Sequence, residues 1–235
     1  MKYFLPILLF CISFLEAQNV YATFNVVAKK DAKLAFVTSG RVDDVKVDIG
    51  SVVEKSQILA TLDNKDTKAI LDSAKITLKF AKRALDREKK VKKFIDEGKF
   101  DKVSSSYEKA KNAVTYQSIL YDKTFLKAPF DGVIYYKDIE VGDAVSAMRL
   151  KTIFKIQSKS ERKLILEFDQ KYNKVVKIGQ TFEYKLDGDD KIYKGTISKI
   201  YPYADFNNRK IRAEVKAKDI IVGLFGDGYI LVDKK

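Results

Sequence analysis

The sequence predicts a mainly β fold with an inserted α-helical coiled-coil hairpin, made of a split β-sandwich and a small C-terminal β-barrel. Three observations predict this fold. A short strand-turn-strand motif occurs twice, at residues 39–53 and 131–145. A segment with heptad spacing lies between the two copies, and a series of short alternating segments follows the second copy. Neither copy of the motif can bury its apolar face alone, so we expect the two to pack together.

The N-terminus has the form of a secretory signal peptide. Lys2 supplies a positive charge, and an apolar run follows at residues 3–15. Val20 and Ala22 occupy the −3 and −1 positions of a cleavage site, so we expect cleavage after Ala22 and export to the periplasm. The apolar run is shorter than the roughly 20 residues that a membrane span requires.

Two alternatives to a cleaved signal concern the same segment. The apolar run remains open to a second interpretation, as an uncleaved anchor. Lipidation at Cys11 is disfavoured, because the bulky Phe10 precedes it where a small residue is needed. Cleavage after Ala22 removes the only cysteine, which suits an oxidising compartment.

The composition disfavours an enzyme, and we predict no catalytic residue, no bound cofactor and no metal site. The chain has no His and a single Cys, so the commonest general base and the usual soft-metal ligands are missing. Met148 is the only methionine after Met1, which argues against a soft-metal site. Residues 104–106 are three serines near lysines, but they lie in a helical pattern without a strained turn, so we expect a solvated surface.

The net charge of +13 does not by itself indicate a nucleic-acid partner. The lysines are distributed along the whole chain, and lysine greatly outnumbers arginine, which many phosphate-reading and base-reading sites favour. A solvated, lysine-rich surface is the simpler interpretation, and we predict no nucleic-acid partner.

The sandwich strands are predicted from alternation and glycine positions. Gly40 and Gly50 in the first copy have the same spacing as Gly132 and Gly142 in the second. Glycine tolerates the positive φ that tight turns require, so we expect these four residues to be structural turn glycines. Pro129 prevents the preceding helix from continuing into the second copy.

The inserted segment is predicted to be an antiparallel pair of helices. A seam of 3-4 spacing in the first helix consists of Leu71, Ala74, Leu78, Ala81 and Leu85. The second helix carries a matching seam of Val103, Tyr107, Ala110, Val114, Gln117 and Tyr121. Glu88 and Lys92 weaken the first seam, Ile95 resumes it, and Gly98 separates the helices. Asn64 or Asp66 can cap the first helix.

These patterns divide the chain into six parts. We expect a signal peptide over 1–22, N-terminal strands joining the barrel over 23–38, the first sandwich half over 39–63, the helical hairpin over 64–125, the second sandwich half over 126–148 and the β-barrel over 149–235.

Several stretches resemble the periplasmic adaptor subunits, or membrane fusion proteins of the HlyD and resistance-nodulation-division type, of bacterial tripartite efflux pumps. They are "GRVDDVKVDIGSVVEKSQILATLD", "LKAPFDGVIYYKDIEVGDAV", "IRAEV" and "GLFGDGYILV". The resemblance implies that the split sandwich is the lipoyl/biotinyl-like domain of that family. The hairpin replaces the turn that carries a modified lysine in true lipoyl domains, so no cofactor attachment is expected.

The resemblance also implies that the hairpin tip contacts an outer-membrane channel. Arg87 and Val91 match the first two family positions, and the pair Phe100-Asp101 matches the aromatic-acid end. Asp96 stands where the family has Ser, with a spacing two residues short. The implied tip residues are Arg87, Val91, Ile95, Asp96, Lys99, Phe100 and Asp101. An exposed Arg87 paired with a neighbouring carboxylate is the simpler alternative.

The function implied by the resemblance is bridging. The protein would connect an inner-membrane transporter, with the resistance-nodulation-division class favoured, to an outer-membrane channel for the export of drugs or other toxic compounds. It would lie in the periplasm, associate with the inner membrane through the transporter, and form a ring as a hexamer or a trimer of dimers. The alternatives are an adaptor of an ABC-type exporter and a binding or chaperone module without a pump.

Overall fold

The computed structural model describes residues 19–90 and 96–232. The chain divides into two compact units. One unit is Lys30–Lys159, and the other combines the residues up to Lys29 with Ser160–Lys235.

Fourteen strands, two α-helices and one 3-10 turn make up the regular structure of the described residues. They are β1 (Val20–Ala28), β2 (Asp31–Leu34), β3 (Gly40–Val45), β4 (Val52–Val53), β5 (Ile58–Leu62), α1 (Lys65–Lys90), α2 (Glu97–Asp122), β6 (Phe125–Lys127), β7 (Gly132–Lys137), β8 (Ala144–Val145), β9 (Phe154–Ser158), β10 (Glu161–Asp169), the 3-10 turn (Gln170–Tyr172), β11 (Thr181–Leu186), β12 (Tyr193–Asp205), β13 (Lys210–Lys218) and β14 (Phe225–Ile230).

The unit Lys30–Lys159 contains the predicted split sandwich. Its two four-stranded sheets have the orders β2-β9-β7-β4 and β6-β5-β3-β8. The two copies of the motif exchange their short strands: Val52 in β4 pairs with Val133 in β7, and Val145 in β8 pairs with Gly40 in β3. Each copy therefore completes the sheet of the other, as expected for a motif that cannot bury its apolar face alone.

The glycines of the two copies serve two different purposes. Gly50 and Gly142 have φ angles of +89° and +97°, which L side chains rarely adopt. Gly132 instead begins β7, where an added Cβ would lie 2.4 Å from the carbonyl oxygen of Gln157. Gly40 is less constrained, because its added Cβ would lie 3.2 Å from Leu62 Cδ1. Gly50 and Gly142 permit turns. Gly40 and Gly132 were also expected to be turn residues, but they begin strands β3 and β7, where Gly132 permits close packing of neighbouring strands.

The helices of the same unit form the predicted hairpin, but Gly98, which was expected to separate them, lies inside the first turn of α2. Every residue of the two predicted seams is buried or half-buried, and Leu71, Leu85 and Ala110 are the most enclosed. At the base, the side-chain amide of Asn64 donates to Thr124 Oγ1 at 3.2 Å, which ties the two ends of the hairpin together. Within the described residues, neither helix has the apolar stretch that would be needed to cross a membrane.

The second unit is a closed barrel with the strand order β1-β10-β13-β12-β11-β14. Strand β1 closes the barrel by pairing with both β10 and β14. The barrel core is built from inward-facing residues of all six strands, including the edge-to-face pair Phe24 and Phe182, whose ring centroids lie 5.8 Å apart. The C-terminal β-barrel predicted from the sequence is thus confirmed.

The element boundaries differ from the expected division at three places. Strand β1 begins at Val20, so the expected boundary after Ala22 falls inside a barrel strand whose inward residues Val20 and Ala22 are completely buried. Strand β2 was expected to join the barrel, but it pairs with β9 in the sandwich. Strand β9 was also expected in the barrel, but it lies in the sandwich, where Phe154 and Ile156 fill the core.

Candidate functional site at the hairpin tip

The candidate site lies where α1 ends and α2 begins. Arg87 is exposed in the last turn of α1, which the structure describes as far as Lys90. Asp96 directly precedes α2. Val91 and Ile95, which were expected to contribute to the site, lie outside the described residues.

Asp96 is the N-cap of α2. Its backbone is extended (φ −59°, ψ 134°), and its carboxylate accepts a hydrogen bond from the amide of Lys99 at 3.1 Å. Its carbonyl oxygen also accepts from the amide of Phe100 at 3.2 Å. Asp and Ser are both strong N-cap residues, so Asp96 can start this helix as well as the serine expected from the family pattern. The side chain nevertheless remains exposed to solvent.

An ion pair joins the two helices next to the tip. Lys99 Nζ of α2 lies 3.6 Å from Glu88 Oε1 of α1. The Glu88 side chain is only 20% exposed, whereas that of Lys99 is 61% exposed. Glu88 occupies a seam position where an apolar residue would normally pack, so the ion pair replaces apolar packing at this level. Sequence reasoning noticed the polar seam residue but did not identify its partner on the other helix.

Arg87 and Asp101 remain available for an external partner. Both side chains are exposed, and neither forms an ion pair within 4.0 Å with a residue of the described ranges. Residues 91–95 contain no carboxylate that could pair with Arg87. The intramolecular ion pair considered for Arg87 is therefore not seen in the described part of the chain.

The tip is polar and predominantly basic. Between Arg87 and Lys102 the sequence has seven cationic and four anionic side chains. Phe100 is half-buried, while Asp101 next to it is exposed. The aromatic-acid pair therefore points one residue toward the hairpin and the other toward solvent, an arrangement suited to a small polar contact.

The outer sides of the helices carry isolated apolar residues that the sequence reasoning missed. On α1, Ile76 and Phe80 are 57% and 60% exposed and lie one turn apart. The guanidinium of Arg83 lies 5.8 Å from the Phe80 ring centroid and partly covers it. Tyr116 and Ile119 are similarly exposed on α2. In the sequence, they can be recognised as apolar residues that lie outside the heptad seam.

The described residues offer no cluster of three or more His, Cys, Asp or Glu side chains that could hold a metal ion.

The sequence matches the model of one known protein family. Residues 30–157 match the family model of the CzcB-like barrel-sandwich hybrid domain. This match covers nearly the whole of the unit Lys30–Lys159, including the hairpin. A search of curated proteins finds no match to the sequence.

Several solved structures share the fold at low sequence identity. A MacA-MexA chimera containing the Pseudomonas aeruginosa MexA α-hairpin domain superposes with a TM-score of 0.83 at 20% identity, over 93% of this chain and 83% of the chimera. The membrane fusion protein Spr0693 of Streptococcus pneumoniae gives 0.73 at 17% identity, over 92% and 99% of the two chains. MacA of Actinobacillus actinomycetemcomitans gives 0.69 at 16% identity, over 92% and 79%. Since the family model matches more than half of the sequence, the chain belongs to the CzcB-like barrel-sandwich hybrid family, the membrane fusion or periplasmic adaptor proteins.

Proposed function

We propose that this protein bridges an inner-membrane efflux transporter to an outer-membrane channel, for the export of drugs or other toxic compounds. The observation that carries the proposal is the hairpin with an exposed, charged tip. Each helix has 26 described residues, which corresponds to an arm of about 39 Å. The sandwich fixes both ends of this arm through adjacent strands, β5 before α1 and β6 after α2.

The tip is suited to a reversible contact with a channel. Arg87 and Asp101 present one charge of each sign without an ion-pair partner in the described ranges. Charged contacts of this kind direct association and fix the relative position of the partners more than they increase affinity. The ion pair between Glu88 and Lys99 links the two helices next to Arg87 and Asp101.

The transporter is proposed to be of the resistance-nodulation-division class, with an ABC-type exporter as the alternative. The barrel is the proposed transporter-contacting part, and export through the expected signal would place it in the periplasm. Purification of a tagged chain after mild crosslinking, followed by identification of the inner-membrane protein bound to it, distinguishes the two classes of transporter.

The ring oligomer gives the outer apolar residues a role. In a ring of six copies, each hairpin has neighbours on both sides, and Ile76, Phe80, Tyr116 and Ile119 would be covered by those neighbours. The same exposed residues favour the second candidate function, a periplasmic module that clasps client proteins with its arm. In that case these residues would contact clients, and the tip charges would have no role.

Site-specific crosslinking tests the bridging function. A cysteine placed at Lys99 or Phe100 should form an adduct with an outer-membrane channel in intact cells. A cysteine placed at Ser73, which is exposed near the base of α1, provides the matched control and should form none. If the tip positions give no channel adduct while Ile76 and Phe80 positions capture diverse soluble proteins, the clasping module is the correct function.

A further inference from the structure

One end of the barrel carries four exposed cations. Lys171, Lys174 and Lys177 lie between β10 and β11, and Arg209 lies in the turn between β12 and β13. The amide of Gln170 donates to the carbonyl oxygen of Arg209 at 3.0 Å, which places the two connections at the same end. None of the four cations forms an ion pair within 4.0 Å with another residue in the described part of the chain.

The carboxylates in these two connections are already engaged. Asp169 accepts the amide of Lys171 at 2.9 Å, and Asp205 accepts the amide of Asn207 at 2.9 Å. These are the only acidic residues in the ranges 169–179 and 205–210. The carboxylates thus shape the turns, and the two connections keep a net positive charge. Lys171 Nζ lies over the Tyr172 ring, 4.9 Å from its centroid.

Large apolar side chains lie among these cations. Phe206 is 89% exposed in the turn between β12 and β13, and Ile178 is 64% exposed in the turn before β11. Tyr203 is 55% exposed on the same hairpin as Phe206. Single exposed apolar residues are common. Their combination with several exposed lysine and arginine side chains is the pattern of surfaces that lie on anionic membranes.

The first strand of the barrel begins at the same end. Strand β1 begins here, because Val20 pairs with Ile230 and Ala22 pairs with Phe168 at the ends of β14 and β10. In the sequence, the apolar run of residues 3–15 precedes β1 by a few residues, and two lysines follow β14 at positions 234 and 235. The basic end is therefore the end at which the described chain enters the barrel.

We propose that the basic end of the barrel, formed by Lys171, Lys174, Lys177, Ile178, Phe206 and Arg209, contacts an anionic phospholipid surface. The cations attract the lipid headgroups, and Phe206 and Ile178 insert among them. A basic residue near an anionic bilayer strengthens binding by about fivefold, so four of them give useful affinity even without a covalent anchor. This role goes beyond the bridging function and does not depend on it.

A single introduced tryptophan tests the contact directly, since the chain has no Trp. The full exported chain with Phe206→Trp is mixed with vesicles of phosphatidylglycerol and phosphatidylcholine that contain brominated lipid. We expect a blue-shifted emission and quenching by the brominated chains, and neither change with phosphatidylcholine alone. The matched control is Phe225→Trp, because Phe225 is 57% exposed at the opposite end of β14 and should not respond.

Charge variants in the Phe206→Trp background test the electrostatic part. Neutralising the basic end with K171Q, K174Q, K177Q and R209Q together should weaken vesicle binding at least about tenfold. The control removes four exposed lysines elsewhere on the barrel, with K185Q, K191Q, K216Q and K218Q, and should change binding less than about twofold.

Three results would overturn this proposal. They are the absence of quenching of the Phe206→Trp reporter, equal weakening by the two sets of charge variants, and a response of the reporter to a purified transporter but not to vesicles. The last result would assign the basic end to a protein partner. The vesicle assay contains no pump, so its outcome is separate from that of the crosslinking at the hairpin tip.

Discussion

The backbone amide of Gly50 donates a hydrogen bond to the carbonyl oxygen of Ile134 at 2.8 Å, which joins the first copy of the motif to the second. The corresponding residues form the same bond in the opposite direction, from the amide of Gly142 to the carbonyl oxygen of Val42 at 2.9 Å. The sandwich thus has approximate twofold symmetry at the level of single hydrogen bonds. A long insertion between the copies is tolerated because these bonds do not depend on the segment that connects them.

Replacing the turn glycines should cost similar amounts in the two copies. An alanine at Gly142 or Gly50 meets no atom within 4 Å, so the cost comes from the positive φ alone. We expect each variant to lose about 1–2 kcal/mol of unfolding free energy. Urea titration monitored by circular dichroism measures this loss. Gly223→Ala is the control, because Gly223 has a φ of +94° in the barrel unit and should leave the sandwich transition unchanged.

Gly132→Ala should be more damaging than either turn variant. Its Cβ would lie 2.4 Å from the carbonyl oxygen of Gln157 and 2.9 Å from Ile156 Cγ1, so β7 and β9 would have to separate. We expect a loss of about 3 kcal/mol or more. The same titration checks it, and a loss no larger than that of Gly142→Ala would mean that the two strands adjust without cost.

The hairpin could be predicted well from the sequence, because the residues with heptad spacing are the same residues that pack between the two helices. The 3-4 spacing from Leu71 to Leu85 marks one face of α1, and the structure buries or half-buries each of these residues. The motif copies were predictable for a similar reason, since the glycine spacing repeats.

The sheet assignments of β2 and β9 could not be predicted from the sequence. Alternation indicates which residues of a strand point inward, but it does not indicate which of two neighbouring sheets the strand joins. Phe154 and Ile156 would fit either core by pattern alone. The start of β1 was missed because Val20 and Ala22 match a cleavage site as well as the inward face of a strand.

The pairing of Glu88 with Lys99 could not be predicted from the sequence, because it depends on the register of two separate helices. Charge reversal tests this register. Glu88→Lys places two cations across the seam, and we expect the hairpin to lose up to about 1 kcal/mol at low salt, with recovery in the double variant Glu88→Lys/Lys99→Glu. Thermal unfolding followed at 222 nm measures both changes.

Two controls accompany the charge reversal. High salt should reduce the difference between single and double variants, since the pair is partly exposed. The reversal Lys111→Glu, on the outside of α2, should show no recovery with Glu88→Lys. Recovery by Lys111→Glu would indicate a general charge effect and contradict the assigned register.

A break in α1 should abolish the proposed bridging while leaving the barrel folded. Leu78→Pro removes a backbone hydrogen bond within the helix and clashes with the preceding turn, at a cost of about 3 kcal/mol or more. We expect reduced helicity and loss of resistance to exported compounds in growth assays. Lys65→Pro is the matched control, because proline is tolerated at the first position of a helix. Unchanged resistance in Leu78→Pro cells would contradict the bridging function.

The barrel should lose stability in acid through Glu214. Burial alone would raise the pKa of this carboxyl, but the hydrogen bond from Tyr201 at 2.7 Å and the nearby charge of Lys163 hold the net pKa below its ordinary value. A group with a lowered folded pKa stabilises the fold above its unfolded pKa, and this contribution disappears as the pH falls through the folded value. Glu214→Gln should therefore lower the unfolding free energy at pH 7, and the difference from the unmodified protein should shrink below about pH 4.

Measurements of barrel unfolding at several pH values check this sign. Asp190→Asn controls for the change in net charge, because Asp190 is exposed between β11 and β12 and forms no ion pair within 4.0 Å among the described residues. The hydrogen bond to Glu214 also raises the pKa of Tyr201, so its stabilising contribution should be complete at neutral pH and decline only as the pH rises through that pKa. A difference between the Glu214→Gln variant and the unmodified protein that grows in acid would show that burial, and not the contacts with Tyr201 and Lys163, dominates at this carboxyl.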